Sequence, residues 1–556
     1  EVWTPNPTPV LSWEPPEDLS GVKGYFVKVD REPGTLPGPT VGDFTEATRL
    51  TLGPLEDGLW YAHVSTQDKA GNLGQQAAHY ALRIDTQALP PGIASPSHPK
   101  PGEWYRSKDL QVELTEPHEL SGVEGYYFTL DQDPTALPNP DGSQWTTKAR
   151  FTVHDVEDGA WFLHVRTKDQ AGNLSNQASH FKVCVDTTAQ PPLLSSPSHP
   201  EPQRWYAQRK VRLQWEDPLD HSGVEGYFFL LDKRPDTLPI RQNATFTDKR
   251  EIVLEVSDDG QWYFHLATQD KAGNLDAKGA HYSLKVDTTA GTPLIRSVSH
   301  PDEGRWYAKT RVSFKFHPPA DPSGITGYYY TFSEDEKALP DPKTSAFTDQ
   351  TELELDAPRD GVHVLSLICQ DAAGNVSAQP ARCRVKVDTQ ALAPELASGS
   401  HPDPQRWYAA RRVELSWKEP ADLSGIEGYY FAVSPQEDFT VLPEKMTWIP
   451  GTHTTFTLPE DGTWYAQVAA KDKAGNLGPA GRLKLQVDSM ALPPRVTSPT
   501  HPAHHWVKNA VPQFTWEDPA ELSGVEGYYL VLDGKPGTLP TPEAAQWVKG
   551  NQFTAP

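Results

Sequence analysis

The chain has little sulfur. Three Cys and two Met in 556 residues exclude a disulfide-stapled scaffold and a thiolate metal cage. Long apolar runs are missing, and no segment approaches the ~18 apolar residues of a membrane helix. Positive charge is scarce: 50 Lys and Arg stand against 74 Asp and Glu, for a net charge of −24. A dispersed acidic surface repels nucleic acid and anionic membrane, which excludes nucleic acid as a partner, and the lack of a long apolar run argues against membrane insertion within this segment. No window of 11 residues or more shows helical period. Catalytic signatures are also missing: there is no H-E-x-x-H, G-x-S-x-G, Walker loop or C-x-x-C. No signal peptide is visible, but the chain opens inside a repeat, so that absence carries no information.

What the sequence has is repetition. Ser-Gly-(Val/Ile)-x-Gly-Tyr starts at Ser20, Ser121, Ser222, Ser323, Ser424 and Ser523, in steps of 101 residues and a last step of 99. Asp-x-Ala-Gly-Asn starts at Asp68, Asp169, Asp270, Asp371 and Asp472, 101 residues apart each time. A period near 100 residues is a full domain with its own core rather than a solenoid unit. With 54 Pro and 40 Gly punctuating short apolar runs, the pattern predicts many short strands and an all-β fold.

Within a repeat the strands can be read off the alternation. Pro9, Leu11 and Trp13 alternate with polar neighbours, as do Leu110/Val112/Leu114, Val211/Leu213/Trp215 and Val413/Leu415/Trp417. After the Ser-Gly turn comes Tyr25/Val27/Val29, then a Pro-rich excursion that carries Leu-Pro (Leu36-Pro37, Leu137-Pro138, Leu238-Pro239). Leu50/Leu52 predict a third strand, Trp60/Ala62/Val64/Thr66 a fourth and Tyr80/Leu82/Ile84 the last. Cys184 alternates with Val183 and Val185 and is expected to point outward. Cys369 and Cys383 fall on inward positions of neighbouring strands, as a disulfide or as two buried thiols.

These residues resemble a fibronectin type III domain: Trp13-x-Pro-Pro, Gly24-Tyr25-x-Val27, Leu55 with Trp60, and Val64-x-Thr66 leading to Asp68-x-x-Gly71. The Asp-x-Ala-Gly-Asn and Val-Asp-Thr strings resemble the Ig-like repeats of large bacterial envelope and surface proteins. The resemblance implies a linear array of about six fibronectin III/Ig-like β-sandwich domains, in which a Leu before a turn and an aromatic at the start of the next strand form a corner. The family's corner Tyr is Trp60, Trp161, Trp262 and Trp464 here, and His363 in the fourth copy. An indole N–H can donate where a phenol would.

The expected domains are 1–87 (first strand missing), 88–188, 189–289, 290–390, 391–490 and 491–556, the last cut before its final two strands. The stretch between Asp85 and Trp104 is read as the first strand of the next repeat, bent at Ser97-His98-Pro99, with Trp104-Tyr105 closing one end. Pro-rich joints are stiff, so neighbours are expected to hold a preferred angle. At ~35–40 Å per sandwich the array would make a rod of about 200 Å. The unfinished last copy suggests a piece of a longer polypeptide.

Three sets of residues are candidate sites. Asp68, Asp169, Asp270, Asp371 and Asp472 follow one strand, and Asp85, Asp186, Asp287 and Asp388 end another. Strand ends meet at joints, so these carboxylates are calcium candidates, as the resemblance to bacterial arrays also implies. The competing reading is local, with Asp bonding the turn, Gly71 at positive φ and Asn72 closing the hairpin. Phe26, Tyr127, Phe228, Tyr329, Tyr430 and Tyr529 form an outward aromatic ladder able to stack on sugar rings, unless the Leu-Pro excursion covers it. His98, His199, His300, His401 and His501 precede Pro, one per copy, and read as turn residues rather than zinc ligands. His63, His164 and His265 become Ser366 and Gln467 in later copies and read as surface. Asn173, Asn243 and Asn375 match N-x-[ST] at background frequency.

The expectation is a non-catalytic structural rod or scaffold of a bacterial surface or periplasmic assembly, with other envelope or surface proteins as partners and no cofactor beyond calcium. The alternatives are a glycan-binding arm of an exported polysaccharide-active enzyme and a protein-binding adhesin stalk.

Overall fold

The computed structural model describes residues 2–440 and 442–556 and is all-β. Among the described residues the one helical turn is Pro443–Lys445. The chain divides into two compact units, 1–288 and 289–556, each built from repeated sheet pairs.

In the first unit, the stretch 88–188 shows the pattern. Gly92–Ala94, Leu110–Thr115 and Arg150–Val153 form a three-stranded antiparallel sheet with Leu110–Thr115 at its centre. Gln144–Thr146, Val123–Asp131, Gly159–Asp169, Ser179–Val185 and Trp104–Tyr105 form a five-stranded sheet in that order. Its last pairing is parallel, with Cys184 opposite Trp104. The entering chain therefore begins in one sheet and ends in the other, crossing at Ser97-His98-Pro99. The crossing is pinned by side chains. The Ser95 hydroxyl accepts the His98 N–H at 3.0 Å, and the Ser97 hydroxyl bonds His98 Nδ1 at 2.8 Å while accepting the Gln111 N–H at 2.9 Å. In later copies Nε2 of His199, His300 and His401 donates to the carbonyls of Gln208, Lys309 and Ala410. These histidines are staples of the crossover.

Both sheets feed one core. Leu110, Val112 and Leu114 meet Tyr126, Phe128, Leu163, Val165, Phe181 and Val183, each fully buried side chain contributing roughly 1.5–3 kcal/mol. The second unit repeats this with Val413, Leu415 and Trp417 against Tyr429, Val468 and Leu485. The corner hydrogen bond forms through indole: Trp60, Trp161, Trp262 and Trp464 donate Nε1–H to the carbonyls of Glu56, Glu157, Asp258 and Glu460 at 2.7–3.1 Å. His363 keeps the bond, its Nε2 lying 2.8 Å from the Arg359 carbonyl.

The structure corrects one sequence expectation and sharpens two. Cys184 alternates with the core residues Val183 and Val185, as expected, but is buried on its own side of the strand. Cys369 and Cys383 are free buried thiols of one core. The strand register sets Cys383 opposite Leu365, not Cys369. His63, His164 and His265 are fully buried rather than surface. They do lie on the outer face of the five-stranded sheet, but the Leu-Pro excursion folds back over that face, as shown by the Ser65 hydroxyl donating to the Pro37 carbonyl at 2.6 Å.

The same covering explains the second glycine of the Ser-Gly-(Val/Ile)-x-Gly-Tyr string. A Cβ on Gly24, Gly125 or Gly226 would run into the ring of Phe44, Trp145 or Phe246 from the neighbouring strand. The string is thus a packing motif, with glycine leaving room for an aromatic lid.

Candidate functional site

The Asp-x-Ala-Gly-Asn loop and the aspartate that ends the preceding repeat come together at the joints. In the first unit, Asp85 is the last residue of one repeat, immediately after the Ala78–Ile84 strand. Its carboxylate accepts the Ser121 N–H at 2.9 Å, and its carbonyl accepts Asn173 Nδ2–H at 2.6 Å. Asp186 makes the same pair of bonds with Ser222 and Asn274, at 2.9 and 2.7 Å. In the second unit, Asp388 does so with Ser424 and Asn476, at 2.9 and 2.6 Å. The next residue is held as well: Asp57, Asp158 and Asp360 of the acidic-Gly turn accept from Thr86, Thr187 and Thr389. In each of these three joints the strand-end aspartate is tied to the following repeat and the next residue to its own.

The loop aspartate serves its own turn at the same time. Asp169 Oδ1 accepts the Asn173 N–H and Oδ2 accepts Asn173 Nδ2–H, both at 2.7 Å. Gly172 takes φ +97°, a left-handed conformation that favours glycine. The local reading and the joint reading thus describe one structure, since Asn173 closes its hairpin and ties it to the repeat before.

Carboxylates converge on this junction. Asp85, Glu119 and Asp169 place one oxygen each within 4.8 Å of one another, as do Asp186, Asp220 and Asp270, and Asp388, Asp422 and Asp472. Sequence reading found two of each three. The third, Glu119, Asp220 or Asp422, was missed because an acid two residues before Ser-Gly reads as an ordinary turn former. Its recurrence at that offset in every copy was the available signal. Of the remaining candidates, Asp287 is buried at the end of the Ala280–Val286 strand in the first unit. Asp371 closes its own loop in the second, accepting the Asn375 N–H at 2.7 Å.

The electrostatics separate a joint from a free loop. Burial pushes the Asp270 carboxyl up, and the Asp186 charge adds to this against the hydrogen bonds from Asn274. Asp220, Asp422 and Glu119 are raised too, first by burial and then by their acidic neighbours. Asp68, in the first repeat, has the same loop but belongs to no such carboxylate trio among the described residues, and the Asn72 side chain holds it below its ordinary value. Two carboxylates at such separations repel by about 3–4 kcal/mol at an effective dielectric near 20. The donors are all oxygens, and Asp220 Oδ2 is buried with no hydrogen-bond partner. That donor set fits a hard cation such as Ca²⁺.

The aromatic ladder is present but covered, except at Tyr529, which is exposed. Phe26 and Phe228 are buried and Tyr127, Tyr329 and Tyr430 half-buried. Each lies under a ring of the adjoining strand, with centroids 4.6–5.3 Å apart: Phe44, Trp145, Phe246, Phe347 and Trp448. It is these second rings that are exposed. Among the described residues no helix is long and apolar enough to cross a membrane.

No protein-family model matches the chain. Among solved structures it is similar to the crystal structure of a tetra-tandem repeat in the extending region of a large adhesion protein. The identity is 14% over 72% of this chain and all of that one, with a TM-score of 0.27.

Proposed function

We propose that this chain is a non-catalytic spacer in a bacterial surface or periplasmic assembly, built from tandem fibronectin III/Ig-like β-sandwiches whose joints are held at a set angle. The observation that carries this reading is the copying of the joint. Asp85, Asp186 and Asp388 each bind a Ser N–H and an Asn amide of the following repeat at matching distances. A flexible string would need no such repetition. Calcium bound by Asp85, Glu119 and Asp169 and their equivalents would offset the repulsion among the carboxylates and stiffen the joint further. Other envelope or surface proteins are the partners this role requires.

The test is a distance distribution between spin labels at Lys148→Cys and Lys249→Cys, equivalent exposed positions of two successive repeats. A narrow distribution that broadens on Asp186→Ala supports the reading, and broadening on chelation supports calcium. A distribution that is broad from the start and indifferent to both changes sinks it.

A second reading, glycan binding, is favoured by the exposed rings of Trp145 and Trp448, each with a lysine about 6 Å from its face. Here Tyr127, Phe228, Tyr329 and Tyr430 would act as the backing of the platform. Loss of a glycan-array signal on Trp145→Ala plus Trp448→Ala would support it.

A further inference from the structure

Outside the joints, one cluster recurs in the first three repeats. His63 and His79 face each other across neighbouring strands, with Nδ1 atoms 2.6 Å apart. His164 and His180 repeat this at 2.5 Å, and His265 and His281 at 2.6 Å. In each pair the first ring is fully buried and the second is exposed. Behind the buried ring stands a carboxylate: Asp30, Asp131 or Asp232 lies 3.1–3.4 Å from Nε2.

The third repeat fixes the tautomers. His265 Nε2 is 3.1 Å from Asp232 Oδ1, and a carboxylate only accepts, so Nε2 carries the proton. His281 Nε2 is 3.1 Å from the Lys278 carbonyl, which also only accepts. Both neutral rings therefore present bare Nδ1 lone pairs to each other at 2.6 Å. Two acceptors at that distance repel, so a positive centre belongs between them. A metal ion would sit toward the exposed ring and keep water on its open side. An imidazole whose far nitrogen is held by a carboxylate is the arrangement that orients a metal ligand and raises its basicity.

The repeats supply an internal control. At the positions of Asp232, His265 and His281, the fourth repeat has Ser333, Ser366 and Arg382, and the fifth has Ser434, Gln467 and Arg482. The three residues come from three different strands, yet all are kept together or lost together. Independent surface drift does not couple an acid to two histidines in this way.

We propose that Asp30/His63/His79, Asp131/His164/His180 and Asp232/His265/His281 each bind one divalent ion of the zinc, nickel and copper class. The two Nδ1 atoms are the ligands, the aspartate is a positioning residue, and water completes the shell. Imidazole nitrogen is the donor these ions prefer. Two nitrogens on a tetrahedral zinc stand about 3.3 Å apart, so the exposed ring must swing outward by several tenths of an ångström.

The experiment is calorimetric titration of the full chain with Zn²⁺ in excess Ca²⁺, added to compete for the acidic joints. The wild type should bind three more equivalents than the His79→Ala, His180→Ala, His281→Ala variant, whose changes lie at exposed positions. Asp232→Asn should weaken one of the three equivalents by at least about tenfold. Equal stoichiometry in wild type and triple variant overturns the proposal and leaves a shared proton as the positive centre. Three equivalents that Asp232→Asn does not weaken overturn the positioning role.

Discussion

The third and fourth repeats share a plan and differ at a few positions that explain one another. Both place a three-stranded sheet against a five-stranded one and bury the same strand positions: Val211, Leu213 and Trp215 in one, Val312, Phe314 and Phe316 in the other. Both keep the glycine under an aromatic lid, Gly226 below Phe246 and Gly327 below Phe347. They part on the corner, Trp262 against His363, and on the outer face, where Asp232, His265 and His281 give way to Ser333, Ser366 and Arg382. They part also beside the core tyrosine, where Asp217 and Arg250 become Pro318 and Thr351. The shared positions are those that close a core, and the differing ones carry polar chemistry. A repeat that tolerates such replacement on its outer face is a scaffold for that chemistry rather than a product of it.

The corner should separate the two repeats most. Trp262→Ala removes a half-buried indole and its bond to the Asp258 carbonyl, and is expected to destabilise its repeat by about 3 kcal/mol. His363→Ala removes a smaller ring with one such bond and should cost about 1–2 kcal/mol. Native-state hydrogen exchange, read repeat by repeat, measures both, and equal losses would mean that the corner bond matters more than the ring. Glycine should instead unite the repeats. A Cβ at Gly226 or Gly327 meets the lid ring and the backbone of Thr247 or Thr348, so Gly226→Ala and Gly327→Ala should each cost about 1–3 kcal/mol. A loss confined to one repeat would break the claim that the motif is a packing device.

Much of this was legible in the sequence. Period-two alternation gave the strands and their inner faces, because a half-buried strand writes its burial into every second residue. Alternation says which face a residue is on, but not what lies over that face. His63, His164 and His265 were assigned outward, and they are outward, yet they are buried because a loop closes over them. The covered aromatic ladder has the same cause: Phe228 is where the pattern puts it, under a ring 18 residues away. At the joints, the recurring Asp-x-Ala-Gly-Asn string and the strand-end aspartate were visible. That Asn173 reaches back 88 residues to Asp85 was not, because spacing alone does not give the angle between repeats. Glu119 and Asp220 were hidden behind a simpler explanation, the turn.

The outer-face difference can be transferred. Ser333→Asp, Ser366→His and Arg382→His together should give the fourth repeat a zinc equivalent it lacks, at least about tenfold tighter than any site there before, or about 1.4 kcal/mol. Titration should then count one more ion than the wild type. No added equivalent would mean that the three residues are insufficient without the covering loop of the third repeat.

The smallest expected difference is in acid. Asp217 accepts from Arg250 Nε and Nη2 at 2.8 and 2.6 Å and from the Tyr227 hydroxyl. The Arg250 guanidinium, aided by Tyr227, holds its carboxyl below the ordinary value against a smaller effect of burial. A carboxyl with a depressed folded-state pKa adds stability above its unfolded pKa, near 4, and loses it as pH falls through the folded value. The third repeat should therefore lose local stability between pH 5 and lower pH that the fourth, with Pro318 and Thr351, does not lose at this position. Because the Asp217 side chain is 36% exposed and Arg250 61%, solvent screening limits the term to under about 1 kcal/mol. Asp217→Asn should remove that part of the slope while leaving Tyr227 a neutral acceptor. If the variant and the wild-type repeat lose stability in parallel down to pH 3, the pair contributes geometry to the core tyrosine and no charge-dependent stability.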